Sequence, residues 1–296
     1  MIEQLRKIFS SLVLYNEISN KNRYNYKWFM TNEKQVIGIN QKELTEKDTT
    51  LLHIFLRPYN VSIPQMTAEE QQWKSYISTD ITDSTSSLTY RFIYFSFQPF
   101  QIEPESFKEA INEFYARQVP VLFENDHEGI IVETNPKDTI SYEQIIDVLM
   151  SDLYVKIKFF VGPYLHTLSA AKRYHQILVN GANTTFAYSD KTVSTYIDAV
   201  PFILVDQMGS NTRADIINSV LGETEHDKDL LKTIEMFIAC NLNVSVTAKE
   251  LYMHRNSLQY RLDKFTEKTG IDIRQFHQAM AVQLAITINK KLMKET

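Results

Sequence analysis

Apolar positions change their rhythm several times along the 296 residues, and each change marks an element. Ile2, Leu5, Phe9, Leu12 and Val13 recur at helical spacing over residues 2–14. After a polar stretch at 19–25, two short apolar runs, 26–30 and 35–39, flank the polar residues 31–34 and predict a hairpin. Helical patterns follow at 45–56 and 68–77, separated by Pro58 and Pro64. Together these predict a small α/β module ending at a polar seam, 84–87.

A second rhythm begins beyond the seam. Residues 89–97 are rich in β-branched and aromatic side chains and predict a strand; 104–117 predict a helix; 119–123 and 129–133 predict two strands around a polar turn. A helix at 142–153, a strand at 155–161 and a helix at 168–179 complete a β-α-β-β-α-β order, which is ferredoxin-like. From residue 192 the pattern is helical, at 195–205, 213–221 and 228–240, with 222–227 expected as a flexible joint. Ile273, Phe276, Met280, Leu284, Ile288 and Leu292 predict one face of a last long helix, capped by Asp272. The expected class is α+β. Its parts are an N-terminal α/β module (1–84), a ferredoxin-like middle domain (85–191), a helical linker (192–227) and an all-α C-terminal domain (228–296).

The stretch 246–270 carries the clearest chemistry. Thr247 followed by Glu250 reads as a capping box that opens a short helix with Ala248 and Leu251 facing inward. Tyr252, Met253 and His254 read as a tight break. A second helix then carries Leu258, Leu262 and Phe265 on one stripe, and Gly270 stops it. Off that stripe lie Asn256, Ser257, Tyr260 and Lys264, with Gln259 beside them, Arg255 at the N-terminal tip and Arg261 on the flank. A helix entering a major groove needs donors at its N-terminal end for base edges, and cations or hydroxyls beside them for phosphates. Arg255 and Asn256 suit the first role; Ser257, Tyr260, Arg261 and Lys264 suit the second. The same pattern describes any amphipathic helix pair with a solvated outer face, and pattern alone does not choose between them.

The segment TAKELYMHRNSLQYRLDKFTEKTGIDI resembles the C-terminal helix-turn-helix of PucR-type bacterial transcriptional regulators. Their pattern is T-A-x-x-L, then H-R-N-[ST]-L-x-Y-R-L, then T-G. Thr247, Ala248, Leu251, His254, Arg255, Asn256, Ser257, Leu258, Tyr260, Arg261, Leu262 and Gly270 fall on it. The resemblance implies double-stranded operator DNA as partner. It nominates Thr247, His254, Arg255, Asn256, Ser257, Gln259, Tyr260, Arg261 and Lys264 as the DNA-binding set. By element order the middle region resembles the degenerate GGDEF-like domain of sugar-diacid-regulator-like proteins. Active GGDEF domains make cyclic dinucleotides at the turn between the central strands, with paired glycines and metal-binding carboxylates. Here that turn reads Glu124, Asn125, Asp126, His127, Glu128, Gly129, without the paired glycines, so no catalytic residues are expected.

Composition narrows the picture further. A net charge of -5 excludes coating of nucleic acid by bulk charge, so affinity must come from a local basic patch such as residues 255–264. A single cysteine, Cys240, allows no intrachain disulfide and fits a reducing compartment. The N-terminus lacks a signal-peptide core and the longest apolar run, 199–205, is too short for a membrane span, so a cytoplasmic protein with no membrane partner is expected. The seven histidines form no metal-ligand spacing with the cysteine, and no cofactor is expected. Trp28 and Trp73 suit either core packing or a pocket for an unknown small-molecule effector. The reading is a homodimeric, or higher even-numbered, DNA-binding transcriptional regulator. A cyclic-nucleotide-related enzyme and a protein-interaction adaptor are the alternatives from other classes.

Overall fold

The computed structural model describes residues 2–18, 25–31, 35–59, 63–81, 88–99, 101–134, 141–153 and 156–295. The seam 84–87, most of the polar stretch 19–25, the hairpin tip and Val155 lie outside the described residues. The chain is a mixed α+β protein with a helical C-terminal region, and it divides into two compact units. The first comprises residues 1–159 and 163–174, the second residues 160–162 and 175–296.

In the first unit, α1 (Ile2–Ile8) is shorter than its pattern. Glu43 ends it by accepting from the Ser10 and Ser11 amides at 2.8 and 2.9 Å and from both serine hydroxyls. The chain then turns into β1 (Val13–Leu14), which pairs with β3 (Val36–Asn40). Apolar spacing of 3 and 4 cannot separate a helix from a helix followed by a strand, which is why the pattern puts Val13 on the wrong element. β2 (Tyr26–Met30) and β3 form the expected antiparallel hairpin. β4 (Arg57–Tyr59) adds an edge that the sequence does not signal, with Pro58 opposite Phe29 where no ladder donor is needed. α2 (Glu46–Phe55) and α3 (Ala68–Ser78) start in capping boxes at Thr45 and Thr67.

The middle elements are β5 (Arg91–Phe97), α4 (Pro104–Phe114), β6 (Val121–Phe123), β7 (Glu128–Glu133), α5 (Tyr142–Leu153) and β8 (Ile157–Val161). Their strands run in the order β6-β7-β5-β8. Trp28 and Trp73 are both core residues, Trp73 packing against Tyr90 and Phe92. The turn between β6 and β7 lies where expected, but Asn125, Asp126 and His127 are buried in it. Asp126 accepts from the Tyr15 hydroxyl at 2.7 Å, from the Tyr59 hydroxyl and from His127 Nδ1 at 2.8 Å. Burial pushes the Asp126 carboxyl up, yet those three bonds outweigh it and hold the group below its ordinary range.

The second unit holds most of α6 (Ala171–Tyr188), then β9 (Val193–Thr195), α7 (Tyr196–Gln207), α8 (Ser210–Val220), α9 (Lys228–Ala239), α10 (Val244–Glu250), α11 (Arg255–Thr269) and α12 (Phe276–Glu295). One core joins Val205 and Ile217, from the stretch expected as a linker, to Leu230, Leu231, Ile234 and Phe237 on α9 and to Leu258, Leu262 and Phe265 on α11. The expected flexible joint is a 3-10 turn, Gly222–Thr224, with Leu221 and Thr224 fully buried. α12 buries Ala279, Val282, Ala285, Ile286 and Ile288, whereas Phe276 and Met280 are exposed. The expected face steps by four residues, which advances about 400° and drifts about 40° per step, so it winds from solvent at Phe276 into the core at Ile288.

Candidate nucleic-acid interface

The helix pair α10–α11 forms at the expected place with a different start. Asn243, rather than Thr247, caps α10: its Oδ1 accepts from the Ser245 and Val246 amides at 3.0 and 3.1 Å. Thr247 lies one turn inside, fully buried, and its hydroxyl donates to the Asn243 carbonyl at 2.8 Å. It therefore holds the helix and offers nothing to a ligand outside the chain. The capping-box spacing misleads because Asn243, four residues upstream, offers a cap whose amide acceptor is free of the helix.

α11 is set by its two ends and one stripe. His254 is its N-cap, with Nδ1 accepting from the Asn256 amide at 3.3 Å, and Gly270 ends it at φ +71°, where a side chain would be strained. Leu258, Leu262 and Phe265 are completely buried. Burying that stripe leaves His254, Arg255, Asn256, Ser257, Gln259 and Tyr260 exposed, with Arg261 and Lys264 half-buried on the flank.

The structure brings Asn256, Ser257, Tyr260, Arg261 and Lys264 together along an open cleft of about 560 Å³. Arg255, His254 and Gln259 lie outside that cleft lining, at the tip and along the exposed side of α11. Arg261 does more than offer charge, since Nη1 donates to Thr233 Oγ1 on α9 at 2.8 Å. Asp227 and Asp229, which sequence reading does not nominate, line the same cleft. Asp227 also caps α9 by accepting from the Leu230 amide at 3.1 Å. An acidic residue three positions before an apolar helical residue is the available signal. Carboxylates opposite Lys264 and Arg261 repel phosphate, so they confine where along the cleft an anionic backbone can lie. Arg274 neutralises a further acid of α11, bonding Asp263 at 2.6 Å and Asp272 at 3.3 Å.

The arrangement offers a guanidinium and an amide at the helix N-terminus for base edges, flanked by hydroxyls and cations for phosphates. Comparison with known proteins decides what it is. Residues 230–288 match the PucR C-terminal helix-turn-helix domain family. The chain is a DNA-binding transcriptional regulator that carries a PucR-type helix-turn-helix domain.

The chain is 28% identical over 269 residues to Uncharacterized protein YxkF of Bacillus subtilis (strain 168), covering 86% of this chain and 87% of that protein. It is 25% identical over 137 residues to the Proline-responsive transcriptional activator PutR of the same organism, covering 43% of this chain and 33% of PutR. It is also 27% identical over 99 residues to the Carbohydrate diacid regulator of Escherichia coli (strain K12), covering 32% of this chain and 26% of that regulator. Thus the regulator spans most of YxkF but only about a third of PutR. The family match ends at residue 288, while the core that supports α11 reaches back to Val205. No described helix is long and apolar enough to cross a membrane.

Proposed function

We propose that the regulator reads a specific operator in the major groove through α11, with Arg255 and Asn256 on base edges and His254, Ser257, Gln259, Tyr260, Arg261 and Lys264 on or beside the phosphates. The observation that carries this reading is the complete burial of Leu258, Leu262 and Phe265, which turns the opposite, donor-rich face of α11 to solvent. The test is binding of the full-length protein to duplexes it selects from a random pool. Arg255→Ala and Asn256→Ala are expected to cost about 1–3 kcal/mol on the selected sequence. Lys264→Ala is expected to weaken all duplexes alike and flatten the salt dependence. Wild-type binding by all three variants rejects the reading.

The middle elements serve as a degenerate, non-catalytic GGDEF-like domain. Support comes from the β-α-β-β-α-β order and from the β6–β7 turn, where Asp126 is engaged by Tyr15 and Tyr59. Incubation with GTP and a divalent metal is expected to leave the nucleotide unchanged. Formation of cyclic dinucleotide that disappears on replacing Asp126 and Glu128 overturns this assignment.

The regulator acts in the cytoplasm, responds to a small-molecule effector through its first unit, and works as a homodimer or higher even-numbered oligomer. A relative described as proline-responsive supports the effector. The small footprint of one recognition helix supports the dimer, because two-fold pairing extends reading to two half-sites. Light scattering that gives a monomer still able to hold its selected duplex tightly rejects the oligomer.

A further inference from the structure

Tyr252 stands in the turn between α10 and α11, two residues before the His254 cap. Its backbone has φ +51°, the left-handed region in which an L side chain is crowded by its own carbonyl and glycine is the ordinary occupant. The turn needs that conformation. The Tyr252 amide donates to the Lys249 carbonyl at 3.1 Å and the Met253 amide to the Ala248 carbonyl at 2.9 Å, which closes α10 and aims the chain into α11. What the turn does not need is the ring. Tyr252 is 98% exposed, more than any other large apolar or aromatic side chain among the described residues, and no described residue bonds its hydroxyl or stacks on its ring. A side chain that strains its backbone, buries almost nothing and bonds nothing in the chain does not stabilise the fold. Its position points outward to whatever docks at the N-terminal end of α11, between exposed Lys249 on one side and exposed His254, Arg255 and Asn256 on the other.

We propose that Tyr252 is a DNA-backbone contact, its phenol donating a hydrogen bond to a phosphate oxygen bordering the groove that α11 enters. The inference rests on α11 reading DNA. A phosphate suits the position better than a base edge, since Tyr252 precedes the helix and carries a neutral hydroxyl at the end of a rigid ring, a donor type that recurs at phosphates. Such a contact fixes how the helix pair sits on the duplex and carries no sequence information of its own.

The test compares full-length wild type, Tyr252→Gly, Tyr252→Phe and Arg255→Ala on the duplex selected by the wild type and on a scrambled duplex, over a range of salt. Both Tyr252 variants are expected to weaken both duplexes by the same factor, about three- to tenfold. The ratio between the duplexes and the salt slope are expected to stay unchanged, because no cation is removed. Tyr252→Gly is expected at the same time to raise the unfolding temperature by about 2 °C or more, since the left-handed position is relieved. Affinity and stability thus move in opposite directions, which damage to the fold does not produce. Wild-type affinity in Tyr252→Gly, with operator binding lost in Arg255→Ala, overturns the contact and leaves α11 as the DNA reader. A loss in Tyr252→Gly with none in Tyr252→Phe overturns the phenol–phosphate bond. Wild-type affinity in Arg255→Ala as well, and in Asn256→Ala and Lys264→Ala, removes the DNA reading itself, and the contact with it.

Discussion

Arg261 Nη1 donates to Thr233 Oγ1 at 2.8 Å, tying the flank of α11 to α9, while the Thr233 hydroxyl donates in turn to the Asp229 carbonyl at 2.8 Å. Thr233 is buried. Arg261 is therefore a strut as well as a cation. Arg261→Ala is expected to lower both duplex affinity and unfolding free energy, whereas Arg255→Ala, removing an exposed side chain, is expected to lower affinity alone. Thr233→Val keeps the shape and deletes the acceptor, at an expected cost of about 1 kcal/mol. Denaturant unfolding beside duplex titration separates the two effects, and an unchanged Thr233→Val in both measurements removes the strut.

Glu70 joins three elements of the first unit. It accepts from the Thr67 amide at 2.8 Å in the α3 capping box, from Lys108 Nζ on α4 at 2.9 Å and from the Val121 amide on β6 at 3.0 Å, all while almost fully buried. Removing it strands a buried ammonium and a buried amide. Glu70→Ala is expected to cost about 3–5 kcal/mol in urea unfolding, and Glu70→Gln less, because its one amide oxygen still accepts on one side, from Val121 or from Lys108 and Thr67, while its NH2 group faces the other donors. Equal losses in the two variants point to packing instead of the ion pair.

Much of this organisation is legible in the sequence, and the failures share a cause. The stripe Leu258, Leu262, Phe265 and the stop at Gly270 are local signals that tertiary contacts reinforce, so α11 reads almost to the residue. The strands and helices between Arg91 and Val161 are legible for the same reason. Burial of Asp126 depends on Tyr15 and Tyr59, distant in sequence, and no local pattern reports it. The phase of α12 goes wrong because Ala279 and Ala285, small enough for close helix approach, carry weaker apolar signal than Phe276 and Met280, which face solvent. Tyr252 escapes notice as a contact because its left-handed backbone is invisible in composition.

Acid should loosen the N-terminal module through Glu43. The Ser11 hydroxyl and amide, with those of Ser10, hold its carboxyl at about 2, below the ordinary carboxylate range. A group with a depressed folded pKa lends stability above its unfolded value and loses it as pH falls through the folded one. The window therefore runs from about pH 4.5 down to about 2. Because the carboxylate is near solvent, the effect is modest and screened by salt. Urea midpoints taken across this window should fall more in wild type than in Glu43→Gln, and parallel profiles would show that the serine bonds do not contribute.

The family match at 230–288 suggests a self-sufficient domain, and the packing predicts otherwise. A fragment of residues 228–296 keeps α9 to α12 but loses Val205, Ile217 and Leu221, all buried against the same core, and the Asp206 partner of Lys291. Losing one large buried aliphatic side chain costs about 2–5 kcal/mol, so three exhaust most of the roughly 5–15 kcal/mol that holds an ordinary domain. The exposed undersides of α9 and α12 then have no cover. Far-UV circular dichroism on heating is expected to show a broad, weakly cooperative change for 228–296 and a sharp transition for residues 160–296, which retain the whole core. A fragment 228–296 that melts as sharply and as high as 160–296 would mean that α7 and α8 pack on this domain without supporting it.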